Sequence, residues 1–344
     1  MKRLLEYGLD PAFTAQLNAL GRRGEAAFFL VDFEQRKPLV WSGTEMKRGG
    51  GARVEMVFPG ARLGGPLQPP TDTPTLHPDY LPFSTYQRGF EIVQEGLQRG
   101  DSFLCNLTYP TPLQRPVDLA AVYAATEAKY RIHLPGQFVC FSPETFITIS
   151  ATGYLETRPM KGTAEDTPAG RAALLVDRKE IAEHATVVDL LRNDLSRVAR
   201  GVRVTDYRYL HRIANGARAL VQTSTKIGGQ LPPNWRAELG DLLARLLPAG
   251  SVSGAPKPAT LELIRRAEVG PRGYYCGVAG YFDGRTLDSC VLIRLIEQAP
   301  DGRQWFHSGG GITALSEVGA EYGELGAKVR LPLVPKLASA GGWG

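Results

Sequence analysis

The stretch "GQFVCFSPETFITIS" (136–150) decides how the chain is read. Two runs rich in Phe, Val, Ile and Thr lie on either side of Ser142-Pro143, and proline cannot donate to a β ladder, so the pattern is strand, break, strand. Outward from it the same pattern recurs. "AAFFLVDF" (26–33) and "KPLVW" read as strands, further strands run through 202–227, and others lie within 274–307 around the turn signal Asp283-Gly284. Helical periodicity marks "YQRGFEIVQEGLQRGD" (86–101), "DLAAVYAATEAKY" (118–130), about 171–199, 234–247, 257–267 and a last pattern from near 317. The Gly/Pro-rich region 43–80 reads as a long irregular loop. Strands follow strands by short turns more often than they alternate with helices, which predicts an α+β sandwich of mostly antiparallel sheets rather than a doubly wound parallel sheet.

With 344 residues, 43% hydrophobic and 22% charged, the chain has the composition of a globular protein with a substantial core. No apolar run is long enough to span a bilayer, and "MKRLLEYGLDPAF" lacks the apolar centre of a signal peptide, so a cytoplasmic protein without a membrane partner is expected. Cys105, Cys140, Cys276 and Cys290 show no Cys-x-x-Cys spacing, which argues against a disulfide framework or zinc site. A formal charge of +5 with dispersed arginines does not make a nucleic-acid groove and suits a small anionic ligand.

Carboxylates fall in two unexpected places. On a helical wheel Glu180, Glu183, Val187, Leu190 and Leu191 share one stripe, so Glu183 continues the face that buries the aliphatics, and Glu321, Glu324 and Lys328 share one face just after "SGGGIT" (308–313). Each helix alone fits a solvated charged face. Together they offer oxygens for a hard divalent cation, beside glycines that let backbone N–H groups approach a carboxylate. Lys161, in "RPMKGT" (158–163), reads first as a solvated loop cation, as most lysines are, and alternatively as an amine held at a strand end for chemistry.

"RPMKGT", "AEHATVVDLLRNDLSRV" (182–198), "LLPAGSVSGAPK" (246–257), "RGYYCGVAGYF" (272–282), "DSCVLIRL" (288–295) and "GGGITALSEVGAEYGELGAKV" (309–329) resemble, in order and spacing, the chorismate-utilising enzymes. The likeness runs from about Gly100 to Val329, and the first hundred residues look shortened. It implies that family's fold, with two mostly antiparallel sheets and helices packed outside. The division is then 1–85 as a shortened N-terminal part integrated with the core, 86–335 as the chorismate-binding catalytic domain, and 336–344 as a frayed tail.

The resemblance also implies roles. Glu183 and Glu324 fall on Mg²⁺-ligand positions with Glu321 as a water-mediated helper; Gly309, Gly310, Gly311 and Lys328 would surround the ring carboxylate of chorismate. Tyr275 and Arg294 would hold the enolpyruvyl carboxylate, and Ser253 would line the site or cap the following helix. Glu144 falls on the general-acid position, and His184 would assist with protons or line the pocket. Leu104 stands where water-adding members carry a lysine base and nitrogen-adding members glutamine, which argues against water addition. Lysine at position 161 resembles the aminodeoxychorismate branch, where such an amine among apolar walls acts as nucleophile. The expected activity is therefore that of aminodeoxychorismate synthase component I, on the route to 4-aminobenzoate and folate. Ammonia would come from a separate glutaminase subunit, since no amidotransferase motif occurs. Anthranilate synthase component I and a catalytically silent chorismate-binding regulatory partner stay open.

Overall fold

A computed structural model describes residues 8–48, 54–64, 72–215 and 218–334; the expected frayed tail, 336–344, lies outside them. The described strands form two sheets in which every pairing is antiparallel. One has nine strands: Met160–Glu165, Arg218–Gln230, Tyr154–Thr157, Thr145–Ile149, Leu287–Val291, Val278–Phe282, Ala27–Val31 and Leu39–Ser42 in spatial order, with Arg200–Asn215 also on Arg218–Gln230. The other has eight: Gly254–Ala255, Leu104–Pro112, Gln304–Ile312, Leu295–Gln298, Phe138–Ser142, Tyr130–Leu134, Glu55–Phe58 and Ala61–Leu63. The α+β reading holds.

The sheets meet through aromatic side chains. Phe28 of the nine-stranded sheet sets its ring edge to face on Phe58 of the other at 5.9 Å, and Phe58 repeats this on Tyr130 at 5.1 Å. The buried Tyr130 hydroxyl then reaches back across the sandwich to Asp288, 2.7 Å away, so the aromatic contact ends in a satisfied polar one. On the outer side of the eight-stranded sheet the Leu119–Ala125 helix buries Leu119, Val122 and Tyr123 against a satellite cluster containing Phe141, Ile296 and Phe306.

Strands from before residue 86 enter both sheets, and the expected loop 43–80 contains more order than its composition suggests. It holds the helix Gly43–Arg48 and the strands Glu55–Phe58 and Ala61–Leu63, because Met56 and Phe58 alternate into the core while Glu55–Phe58 pairs with Tyr130–Leu134. The single helix expected over 171–199 is two, Pro168–Val176 and Arg178–Ser196. Asp177 separates them: its extended backbone ends the first, and its side chain accepts the Glu180 N–H at 3.0 Å to cap the second.

The break at Ser142-Pro143 joins strands of different sheets. Phe138–Ser142 belongs to the eight-stranded sheet and Thr145–Ile149 to the nine-stranded one, so the chain crosses between them at Glu144. A second crossing runs from Leu287–Val291 to Leu295–Gln298 and includes Arg294. The two crossings are hydrogen-bonded to each other: Val291 N donates to Glu144 O at 3.1 Å and Phe141 N to Arg294 O at 3.0 Å.

Next to them lies the buried pair Arg272–Glu268. Arg272 Nε and Nη2 fork onto the Glu268 carboxylate at 2.9 and 2.6 Å, Nη1 donates to Val252 O at 2.7 Å, and Nη2 also donates to Asn106 O at 2.6 Å. Burial opposes the charge, but Glu268 outweighs it and holds the Arg272 pKa above its ordinary value. Arg272→Met leaves the Glu268 carboxylate buried without its partner and is expected to cost about 3–5 kcal/mol. Chemical denaturation should show this as a lower midpoint, and adding Glu268→Gln should recover part of the loss.

Candidate active site

A cleft of about 490 Å³ opens beside the two crossings. It gathers residues far apart in sequence: Glu144, Lys161, Glu183, Tyr275, Arg294, Gly309, Gly310, Gly311, Glu321, Glu324 and Lys328 all line it. His184 and Ser253 do not. His184 is fully buried behind Lys161 and Glu183, its Nε2 lies 2.6 Å from Thr225 Oγ1, and its Nδ1 meets no partner among the described residues. Burial, helped by Arg208 and Lys161, lowers its pKa to about 4, so it is neutral near pH 7. Ser253 is also buried and donates to Ala249 O, one turn back, rather than capping the helix that follows.

Local backbone explains the placement of each group. Lys161 sits at a register shift in Met160–Glu165, next to Gly162, whose φ of +69° suits glycine. The shift aims the amine at the glycine run: a Cβ on Gly311 would lie 3.1 Å from Lys161 Nζ and 3.2 Å from Leu104 Cδ1. Lys161 Nζ also lies 3.8 Å from Glu183 Oε2. The amine therefore has an apolar neighbour in Leu104 and a carboxylate neighbour in Glu183, rather than apolar walls alone. The Gln304–Ile312 strand pairs with Leu295–Gln298 only as far as His307, which leaves that edge of Gly309–Gly311 without a strand partner among the described residues. Gly309 uses its place there as an acceptor, taking Lys328 Nζ at 2.7 Å.

Glu144 stands where the chain passes between sheets. Its Oε1 accepts the Ser251 hydroxyl at 2.6 Å. Burial pushes its pKa above the ordinary carboxylate range, against the lowering effect of Ser251, Lys161 and Lys328. Arg294 has φ +57°, a left-handed conformation that costs energy for a side-chain-bearing residue and that recurs at Cys276 (φ +63°), next to Tyr275. Burial and neighbouring Arg330 pull the Arg294 pKa below its ordinary value, but a guanidinium remains charged. Tyr275 is buried, with its phenol pushed well above its usual range by that burial.

The carboxylates suit a hard cation in their chemistry. Glu183 is buried, Glu321 is buried with its Oε2 3.4 Å from where a Gly310 Cβ would stand, and Glu324 is half-exposed with its Oε1 2.6 Å from Lys328 Nζ. Among the described residues no three His, Cys, Asp or Glu side chains cluster closely enough to hold a metal ion. Carboxylate oxygens are the donors a hard cation takes, and Mg²⁺ keeps several waters and uses only one or two protein carboxylates, so a cluster of three is not required of these residues. Sequence reasoning missed Asn106, Ser251, His307 and Arg330, which also line the cleft, as does Glu180 from the stripe of Glu183. Ser251 had a signal in its motif, two residues before Ser253; a polar residue inside a strand, such as His307, carries none.

Residues 57–334 match the family of chorismate binding enzymes, and the chain belongs to that family. It is 46% identical over 322 residues, covering 93% of this chain and 96% of the relative, to a protein of Haemophilus influenzae named "Uncharacterized PabA-like protein". It is 34% identical to aminodeoxychorismate synthase component 1 of Salmonella typhimurium, over 73% of this chain and 57% of that one. The crystal structure of anthranilate synthase component I from Streptococcus pneumoniae superposes with a TM-score of 0.62 at 27% identity, covering 74% of this chain and 58% of the other.

The contact between Ser251 and Glu144 gives a titration with a definite sign. The hydroxyl donates to the carboxylate and so favours its ionised form. Ser251→Ala is expected to raise the Glu144 pKa further and keep the acid protonated to higher pH, as followed by carbon NMR of labelled glutamate carboxyls.

Proposed function

We propose that this chorismate-binding enzyme exchanges the C4 hydroxyl of chorismate for an amino group, forming 4-amino-4-deoxychorismate and water, with ammonia supplied by a separate glutaminase subunit. One observation carries the reading: the cleft holds a primary amine, Lys161, against Gly311 and Glu183 at the centre of the gathered acids and glycines. The similarity to the Salmonella aminodeoxychorismate synthase component 1 supports it.

Gly310 and Gly311 bring backbone to the ring carboxylate, while Arg294 and Tyr275 hold the enolpyruvyl carboxylate, for which a planar guanidinium suits bidentate binding. Glu183 and Glu324, with Glu321, would hold Mg²⁺, which would supply positive charge for the ring carboxylate. Lys161 Nζ forms a bond to ring C2 as both conjugated ring double bonds shift, C1=C2 to C1=C6 and C5=C6 to C4=C5, and the C4–O bond breaks. Glu144 gives its proton to the departing hydroxyl, which leaves as water; its raised pKa suits it to hold that proton. Ammonia then bonds to C4, both ring double bonds shift back, and the C2–N bond to Lys161 breaks. The proton lost by the incoming ammonia returns to Glu144.

Supplying chorismate, Mg²⁺ and ammonium and identifying the product by mass and chromatography tests the reading. Anthranilate would assign the chain to the anthranilate synthase reaction, and binding without turnover would make it a silent partner. Glu183→Gln and Glu324→Gln should each abolish Mg²⁺-dependent turnover with the fold retained, since an amide coordinates a hard cation more weakly. Glu144→Gln should slow turnover roughly 10²- to 10⁴-fold while chorismate still binds. Lys161→Arg should be nearly inactive, because a guanidinium stays protonated and cannot attack. Near-normal 4-amino product from that variant would remove the nucleophile role.

A further inference from the structure

His307 lies at the Tyr275 end of the cleft and has no part in the scheme above. It is buried on the Gln304–Ile312 strand, with its ring 5.2 Å from that of Tyr275 at 31° between planes. Its Nε2 lies 2.8 Å from Glu297 Oε2, on the adjoining strand Leu295–Gln298. Glu297 is half-exposed, and its Oε1 comes within 3.5 Å of where a Cβ on Gly273 would stand, close under the turn that leads to Tyr275. A carboxylate accepts, so Nε2 must carry the proton of this bond. Only Nδ1 is then left for anything entering the cleft that the ring lines.

We infer that His307 is a third holder of the carboxylate that Tyr275 and Arg294 receive, and that Glu297 is a positioning residue that fixes its tautomer and ring. The inference rests on the proposed placement of chorismate. With Nε2–H committed to Glu297, a neutral His307 offers Nδ1 as an acceptor, which repels a carboxylate. A carboxylate ligand is accommodated when Nδ1 takes up a proton and becomes a donor. The charges around the ring set the sign. Glu297 favours the imidazolium, and an arriving anion adds to that preference. Binding of the substrate carboxylate and uptake of a proton are therefore one event at this end of the cleft, and the site selects a ligand that is anionic there over a neutral ester or amide.

The test is calorimetric titration of the Mg²⁺-loaded protein with chorismate in buffers of different ionisation enthalpy at one pH, which reads affinity and protons taken up together. Wild type should take up protons on binding. His307→Gln keeps an amide that can donate to Glu297 but cannot gain charge; it should bind roughly 10- to 100-fold more weakly, the usual worth of a hydrogen bond to a charged group, with the uptake lost. Glu297→Gln should reduce the uptake while leaving the unfolding midpoint near wild type, since this carboxylate is half-exposed. A variant of His307 that binds chorismate with wild-type affinity and wild-type proton uptake overturns the assignment and leaves the proposed function standing. Wild type that binds no chorismate overturns both.

Discussion

One guanidinium holds the cleft in shape. Arg272 is buried and spends its donors on Glu268, Val252 O and Asn106 O, while Glu268 also accepts the Thr108 N–H at 2.8 Å. Those partners belong to the strand Leu104–Pro112, to the short helix Gly250–Ser253, and to the end of the Lys257–Ala267 helix. Asn106 and Val252 line the cleft, and Tyr275 follows Arg272 by three residues. A charge placed out of water is tolerated only when its partners are complete, so the position of each segment is fixed by the need of the others. A second buried pair does the same for the acid-bearing helix. Asp194 of Arg178–Ser196 meets Lys257 Nζ at 2.9 Å, and Lys257 donates onward to Leu246 O.

The parts of this arrangement that were legible in the sequence are those where chemistry and periodicity coincide. Glu183 was conspicuous because it puts a carboxylate on the face that buries the aliphatics of its helix, and the structure buries it at the cleft. The glycine run was conspicuous because residues without side chains let backbone approach a ligand, and at Gly309 the missing Cβ also makes room for Thr108, whose Cγ2 is 2.6 Å from where one would stand. The antiparallel α+β class followed from strands joined by short connections.

What stayed hidden has physical reasons. The strands inside 43–80 are short and bounded by Gly and Pro, so their order comes from pairing with Tyr130–Leu134, a partner remote in sequence. The helix break at Asp177 depends on one backbone angle, ψ 114°, in a tract whose apolar residues keep a helical period on both sides of it. Ser251 and His307 enter the cleft through neighbours, Glu144 and Glu297, that no local spacing connects to them. That Ser142-Pro143 sends the chain to the other sheet, rather than back along its own, is a tertiary choice, since a short break permits either.

That choice has a consequence for how the molecule responds to load. Glu144 and Arg294 each ride on a segment anchored at one end in each sheet, and the segments are clipped together by two backbone hydrogen bonds. The cleft therefore sits on the seam of the sandwich. Any slip of one sheet over the other must shear these two bonds and move both side chains at once. A ligand that grips Arg294 while touching Glu144 acts as a rivet through the seam, stiffening amides on both sheets, including strands such as Ala27–Val31 that never reach it.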